Sequence, residues 1–224
     1  MVERYTLTSL DEIATAFGGA APAGCVPRFN VAAMQMAPIR TAKAIVIARW
    51  GLLPPWRGHG GKRDPHVVHA PVDAIDQVPL LRNAFKSQRC LVIADGFFVW
   101  RRAGKKPLPA WIHPAPDRPQ ARSRLIAFAG VAAIHRDDGH PSFAIVVGPA
   151  SPLVAAFEAT MPVVIPAEAY TAWLTAPVAQ ARELLAVAPT GWRADPVSTW
   201  VNAIEHDDPA CVEPLGNPAQ GELF

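Results

Sequence analysis

Apolar residues in this chain gather mainly in short unbroken runs. Ala44–Trp50, Cys90–Ala94, Leu125–Ile134 and Ser142–Gly148 are such runs, and Pro109–His113 is a shorter one. Runs of this length, bounded by Pro, Gly or polar clusters, predict strands, the fully apolar ones buried. Cys90–Arg102 reads as a strand, a tight bend at Asp95-Gly96 and an aromatic returning strand, with Arg101–Lys106 as a basic turn. Pro54-Pro55 breaks the strand that ends at Trp50, and Gly58–Pro65 reads as a glycine-rich surface loop without a phosphate-binding signature. Pro114–Ser123 and Arg136–His140 read as polar connections.

Helical spacing is confined to shorter stretches. Ser9–Glu12 has the form of a capping box ahead of Ile13, Ala14, Ala16 and Phe17, and Gly18-Gly19 ends that helix. Leu80–Gln88, Pro152–Phe157, Pro166–Thr175 and Val178–Val187 are further predicted helices, with Tyr170, Trp173 and Leu174 at core-facing spacing. Many strands with scattered helices, and no strand–helix alternation, predict an α+β fold. Its sheet should be mostly antiparallel and curved or barrel-like, with peripheral helices. No repeat or linker interrupts residues 1–224, so a single domain is expected, with a tail from about Asp207 that drapes or stays loose.

Half of the 224 residues are hydrophobic, enough for one sizeable core. No apolar run is long enough to span a bilayer, and Met1-Val2-Glu3-Arg4 lacks a signal-peptide core, so a soluble cytoplasmic monomer is expected. Cys25, Cys90 and Cys211 suit a reducing compartment. They show no metal-ligand spacing, so neither a metal nor a cofactor is expected. The net charge of +2 is unevenly placed: residues 1–106 carry 15 Lys/Arg against 7 Asp/Glu, and residues 107–224 carry 6 against 12. One reading is a basic face for a polyanion; the other is that folding averages the asymmetry away.

The chain resembles the SRAP family, the SOS response-associated peptidase or abasic-site-processing proteins. Cys90-Leu-Val-Ile-Ala-Asp-Gly-Phe-Phe-Val-Trp100 is similar to the family's R-C-L-I-P-A-D-G-F-Y-E-W. Arg28-Phe-Asn-Val-Ala32, Trp50-Gly-Leu-Leu-Pro-Pro-Trp56, Phe128-Ala-Gly-Val131, Met161-Pro-Val-Val-Ile165 and Pro196-Val-Ser198 follow the family's other motifs in order. The combination of W-G-L-x-P-x-W, A-D-G-F and M-P-V is specific. The resemblance implies an α+β SRAP fold and a single-stranded-DNA partner in a DNA-damage or SOS setting, with a bacterial or phage origin.

It also implies a chemistry that this chain departs from. Family members capture the aldehyde of an opened abasic sugar with a cysteine that becomes the N-terminus, whose amine and thiol close a thiazolidine. The corresponding residue is Val2, which has no thiol, and Glu3 replaces the family glycine. The asparagine that contacts the sugar corresponds to His69, the DNA-binding arginine beside it to Pro71, the acid to Val99, and the histidine to Glu158. The expectation is a pseudoenzyme, with no catalytic residue assigned at these degenerate positions. Cys25 stands as an alternative nucleophile, and no Ser/His/Asp or Cys/His protease set is assembled.

By the same resemblance Arg4, Trp50, Trp56, Arg82 and Arg89 are candidate DNA contacts, the aromatics by stacking and the arginines through phosphates. Core packing is the competing reading for Trp50, and a solvated or salt-bridged helix face for Arg82 and Arg89. Two other functions stay open: an enzyme that uses His69, Asp73 or Glu158 as acid/base groups, and a protein-interaction module on the same scaffold.

Overall fold

The structure is a computed structural model that describes residues 3–53, 66–103, 106–115, 123–134, 141–186 and 189–216. Among these, strands β1 (Arg4–Leu7), β2 (Arg28–Ala32), β3 (Met36–Thr41), β4 (Ile45–Trp50) and β5 (His69–Pro71) come first. They are followed by β6 (Arg89–Ala94), β7 (Gly96–Ala103), β8 (Lys106–Pro114), β9 (Ile126–Ala133) and β10 (Ser142–Pro149). The short β11 (Thr160–Pro162), β12 (Val164–Ile165) and β13 (Trp192–Pro196) complete the strands. The helices are α1 (Ile13–Phe17), α2 (Pro79–Ser87), α3 (Pro152–Ala155), α4 (Tyr170–Thr175) and α5 (Val178–Glu183).

Two sheets share one apolar interior. One has the order β13-β8-β7-β1-β2 and is antiparallel throughout. The other closes on itself through the pairings β4–β3–β6–β9–β10–β4, of which β10–β4 is parallel. Successive side chains of β6 explain why its run is apolar throughout. Cys90, Val92 and Ala94 face the layer between the sheets, while Leu91 and Ile93 face a second layer. That second layer is covered by α1, α2, α4 and α5 through Ile13, Phe17, Leu81, Phe85, Trp173 and Ala181. A strand buried on both faces loses the usual alternation of apolar and polar residues.

The α+β reading with a curved, ring-like sheet is what the chain adopts. One detail differs. Asp95-Gly96 is a corner between sheets rather than a hairpin bend, so β6 belongs to the closed sheet and β7 to the other. The Asp95 side chain is buried and its carboxylate accepts from Thr6 Oγ1, Thr8 Oγ1 (2.7 Å) and the backbone N–H groups of Thr8 and Ser9. Gly96 is required by contact: a Cβ there would lie 2.2 Å from Trp111 Nε1 and 2.9 Å from the carbonyl oxygen of Ile112.

The same carboxylate displaces the expected capping box. The Ser9 side chain makes no cap bond, and the Glu12 carboxylate accepts from the Arg124 N–H instead, leaving a 3-10 turn at Leu10–Glu12 before α1. The α1 stop is as expected, with Gly18 left-handed at φ 65° and its N–H on the Ala14 carbonyl. The described part of the tail, through residue 216, is packed. Asp207 accepts from Arg28 Nε and from the N–H groups of Phe29 and Asn30, and Cys211 is fully buried. The Gly58–Pro65 loop lies outside the described residues.

Asp95 gives the fold its first test. Asp95→Ala leaves several buried donors unpaired and should cost about 3 kcal/mol in urea unfolding followed by tryptophan fluorescence. Asp95→Asn, which keeps one acceptor, should cost less. A loss below about 1 kcal/mol for alanine would show that the corner is held by packing alone.

Candidate functional site

The interior layer between the sheets gathers several of the positions singled out by sequence. Val99, on β7 opposite Ala110, is fully buried there beside Tyr5, Trp50, Val31 and Phe128 of the same cluster. Tyr5 pairs with Phe97. Thr6 pairs with Gly96, so the β1–β7 pairing ends at Tyr5–Phe97, two residues short of Val99.

Trp50 ends β4 with its ring centroid 5.4 Å from that of Tyr5 and 6.1 Å from that of His69. Its indole N–H donates to the Val68 carbonyl at 2.9 Å. The residue is fully buried, an arrangement that suits core packing better than stacking on a base. Gly51 follows in a backbone conformation of φ 150°, and a Cβ there would lie 2.9 Å from Met34 Sδ. The Trp-Gly step is therefore fixed by backbone conformation and by crowding.

His69 and Glu158 lie on either side of β10. His69 opens β5, which runs parallel to β10 with His69 opposite Ile145. Glu158 sits between α3 and β11, and β11 pairs with β10 on its other edge. Val147 is the common point, opposite both Pro71 and Pro162. The Glu158 N–H donates to the Val154 carbonyl, and the preceding Phe157 packs on the interior layer that holds Val99. Trp50, His69, Val99 and the Glu158 turn thus border one cluster. Asp73 is exposed in the turn after β5. Val2 and Trp56 lie outside the described residues.

The candidate arginines are placed elsewhere. Arg4 points to the opposite face of β1 from Tyr5, where its Nη1 donates to Asn30 Oδ1 (3.2 Å) and to the Val201 carbonyl (3.3 Å). Asn30 Nδ2 binds the carbonyls of Val201, Ala203 and His206, so this pair holds the segment after β13. Burial lowers the Arg4 pKa from its ordinary value. Arg89, at the start of β6, is buried with its guanidinium on the carbonyls of Phe85, Trp173 and Ala176. Its donors are directed at the ends of α2 and α4 rather than outward. Arg82 lies on the exposed face of α2, outside the closed sheet.

A second cluster joins residues that share no local sequence motif. His113 Nε2 lies 2.9 Å from Asp195 Oδ2, Arg193 reaches the other carboxylate oxygen at 2.6 Å, and Trp111 stacks on His113 at 3.9 Å. Trp111, His113 and Arg193 line a cavity of about 680 Å³ that also touches Asp95 and Arg124. Only the β8–β13 register brings them together, and no local motif announces it. A cavity of about 580 Å³ near Pro149, Met161 and Leu185 is mainly apolar. Among the described residues, no group of three or more His, Cys, Asp or Glu could hold a metal ion, and no helix is long and apolar enough to cross a membrane.

A closed sheet, a second sheet joined to it by an Asp-Gly corner, and a cluster reached by the first residues of the chain define an SRAP-type protein. The family model for SOS response associated peptidase (SRAP) matches residues 1–204, and the chain belongs to that family. It is 27% identical over 199 residues to the abasic site processing protein HMCES of Gallus gallus, covering 77% of this chain and 58% of that protein. To the abasic site processing protein YedK of Escherichia coli it is 24% identical over 171 residues, covering 74% of this chain and 73% of that one. A crystal structure of a Bacteroides thetaiotaomicron protein superposes with a TM-score of 0.79 at 21% identity, covering 95% of this chain and 99% of that chain.

Arg89 separates structural from DNA-binding arginine chemistry. Arg89→Ala should lower unfolding stability by roughly 2–4 kcal/mol, because it strands three carbonyls in a buried setting. Below the unfolding transition, affinity for single-stranded DNA should change less than about twofold. Full stability with a large loss of DNA affinity would return Arg89 to the DNA interface.

Proposed function

We propose that this protein is an SRAP-family single-stranded-DNA-binding protein of the DNA-damage response that does not form the abasic-site crosslink or carry out peptidase chemistry. The observation that carries the reading is Val99: a fully buried valine inside the apolar layer, on the strand where the family signature has its acid. Valine neither gives nor takes a proton. Val2 supplies no thiol, so an imine formed at that position has nothing with which to close a thiazolidine. Glu158 brings a carboxylate to the histidine's place. The named activity of the relatives supports a DNA partner. The excess of Lys and Arg in residues 1–106 supports a polyanion as that partner.

Incubation with abasic-site single-stranded DNA, followed by a denaturing gel, tests the chemical half. No heat-stable adduct is expected. Val2→Cys alone should restore little, since general acid–base groups typically contribute roughly a hundredfold to ten-thousandfold each. Val2→Cys with Val99→Glu and Glu158→His should do better. An efficient adduct with the unmodified chain, at Cys25 or any other residue, overturns the reading. Gel shifts test the binding half. A single-stranded oligonucleotide should bind more tightly than its duplex, with affinity falling as salt rises.

A further inference from the structure

The β8–β13 register sets Arg193 opposite His113 and Asp195 opposite Trp111, so all four side chains lie on one face of the open sheet at its edge. On that face Trp111 and His113 stack at 3.9 Å with their planes 18° apart. Both His113 ring nitrogens are engaged, Nδ1 with the Pro114 carbonyl and Nε2 with Asp195, each at 2.9 Å. The pair therefore offers the cavity a flat π surface and no free ring nitrogen for acid–base work. Arg193 spends Nε and Nη2 on one oxygen of Asp195, which leaves Nη1 without a partner among the described residues. The Arg124 side chain is 85% exposed, and its guanidinium meets the Glu12 carboxylate only at 3.9 Å. Asp11 and Glu12, from the turn between β1 and α1, line the same cavity. Its volume of about 680 Å³ is that of a small-molecule site.

We propose that this cavity binds a nucleoside 5′-monophosphate, with its base on the Trp111–His113 stack and its phosphate at Arg124 and Arg193. An aromatic face holds any base, and the free arginine donors match phosphate oxygens. The carboxylates of Asp11 and Glu12 only accept, so they favour a base edge that presents N–H donors; guanine presents its ring N–H and its exocyclic amine side by side. The same acids disfavour a bare anion, which has no stacking to offset their repulsion. The site is separate from the layer around Val99. Trp111 lies opposite Phe98, on the face of the open sheet turned away from that layer. Two sources carry this chemistry, a free nucleotide and the phosphorylated end of a DNA strand. The second rests on the DNA-binding reading above; the first does not.

Titration of the full chain with deoxyguanosine 5′-monophosphate, read by calorimetry and by tryptophan fluorescence, tests the site. Saturable binding is expected, with a dissociation constant on the order of 0.1 mM. Deoxyribose phosphate, which lacks the base, and inorganic phosphate should bind roughly tenfold more weakly or worse. Arg124→Gln combined with Asp11→Asn, both at exposed positions, should weaken nucleotide binding roughly tenfold and leave the unfolding temperature unchanged. Trp111→Phe, which keeps a flat ring, should weaken it less than Trp111→Leu. No saturable binding at about 5 mM nucleotide, equal binding of the sugar phosphate, or binding that the double substitution leaves intact overturns the proposal. Competition by an oligonucleotide with a 5′-phosphate, but not by its 5′-hydroxyl form, assigns the site to a strand end; competition by neither assigns it to the free nucleotide. Nucleotide binding by a chain that gives no single-strand gel shift keeps the site and rejects the DNA-binding reading.

Discussion

A single buried carboxylate sets the geometry on which the site depends. Asp95 accepts from two threonine hydroxyls and two backbone N–H groups, all from the end of β1 and the residues just after it. A buried charge held this way fixes the chain at both places, because losing any donor leaves part of the charge uncompensated. β6 therefore leaves the closed sheet at a set point, and β7 enters the other sheet beside β1. Which faces of β1 and β7 turn inward follows from that register. Tyr5, Phe97 and Val99 go to the shared interior, while Arg4 and Phe98 go to the other side.

The longest unbroken apolar runs in the sequence are β6, β9 and β10, which are buried on both faces. β3 leaves no such run, since Pro38 and Arg40 interrupt it. The proline is tolerated because β6 begins to pair with β3 only at Ile39. The Ser9–Glu12 motif had the letters of a capping box, but a nearby buried carboxylate took the Ser9 N–H, and a distant backbone N–H took the glutamate. Local patterns fail where a residue remote in sequence offers a stronger partner. The tail shows the same limit: polar and rich in Pro and Gly, yet fastened as far as residue 216 by Asp207, Cys211 and Leu215.

The family motifs fall around the interior layer, but a motif does not distinguish an arginine that faces phosphates from one that faces carbonyls. Both need the same donors, and a sequence does not say where the donors point. Arg89 follows α2 directly, and its cation lies among carbonyls at the C-terminal ends of α2 and α4. The partial negative charge of helix ends favours a cation there without any nucleic acid. Glycines were the more reliable guides. Gly51 and Gly96 each occupy a place where a Cβ meets a named neighbour, so their positions in the motifs have a steric cause.

The interior layer also bears on how reversible the proposed loss of chemistry is. Val99 shares its cluster with Tyr5, whose hydroxyl is buried and finds no hydrogen-bond partner among the described residues. Burial raises the Tyr5 pKa and keeps that hydroxyl a neutral donor. Such an unpaired group typically costs about 1–3 kcal/mol, whereas valine beside it costs nothing in desolvation. A glutamate at position 99 reverses part of this balance: it needs a donor and water, and Tyr5 is a donor within the same cluster. Without an opening toward solvent, however, burial drives the new acid to its neutral form, in which it is no general base. Restoring the acid therefore depends on whether water reaches this layer, because a glutamate that stays among Tyr5, Trp50 and Phe128 is held neutral.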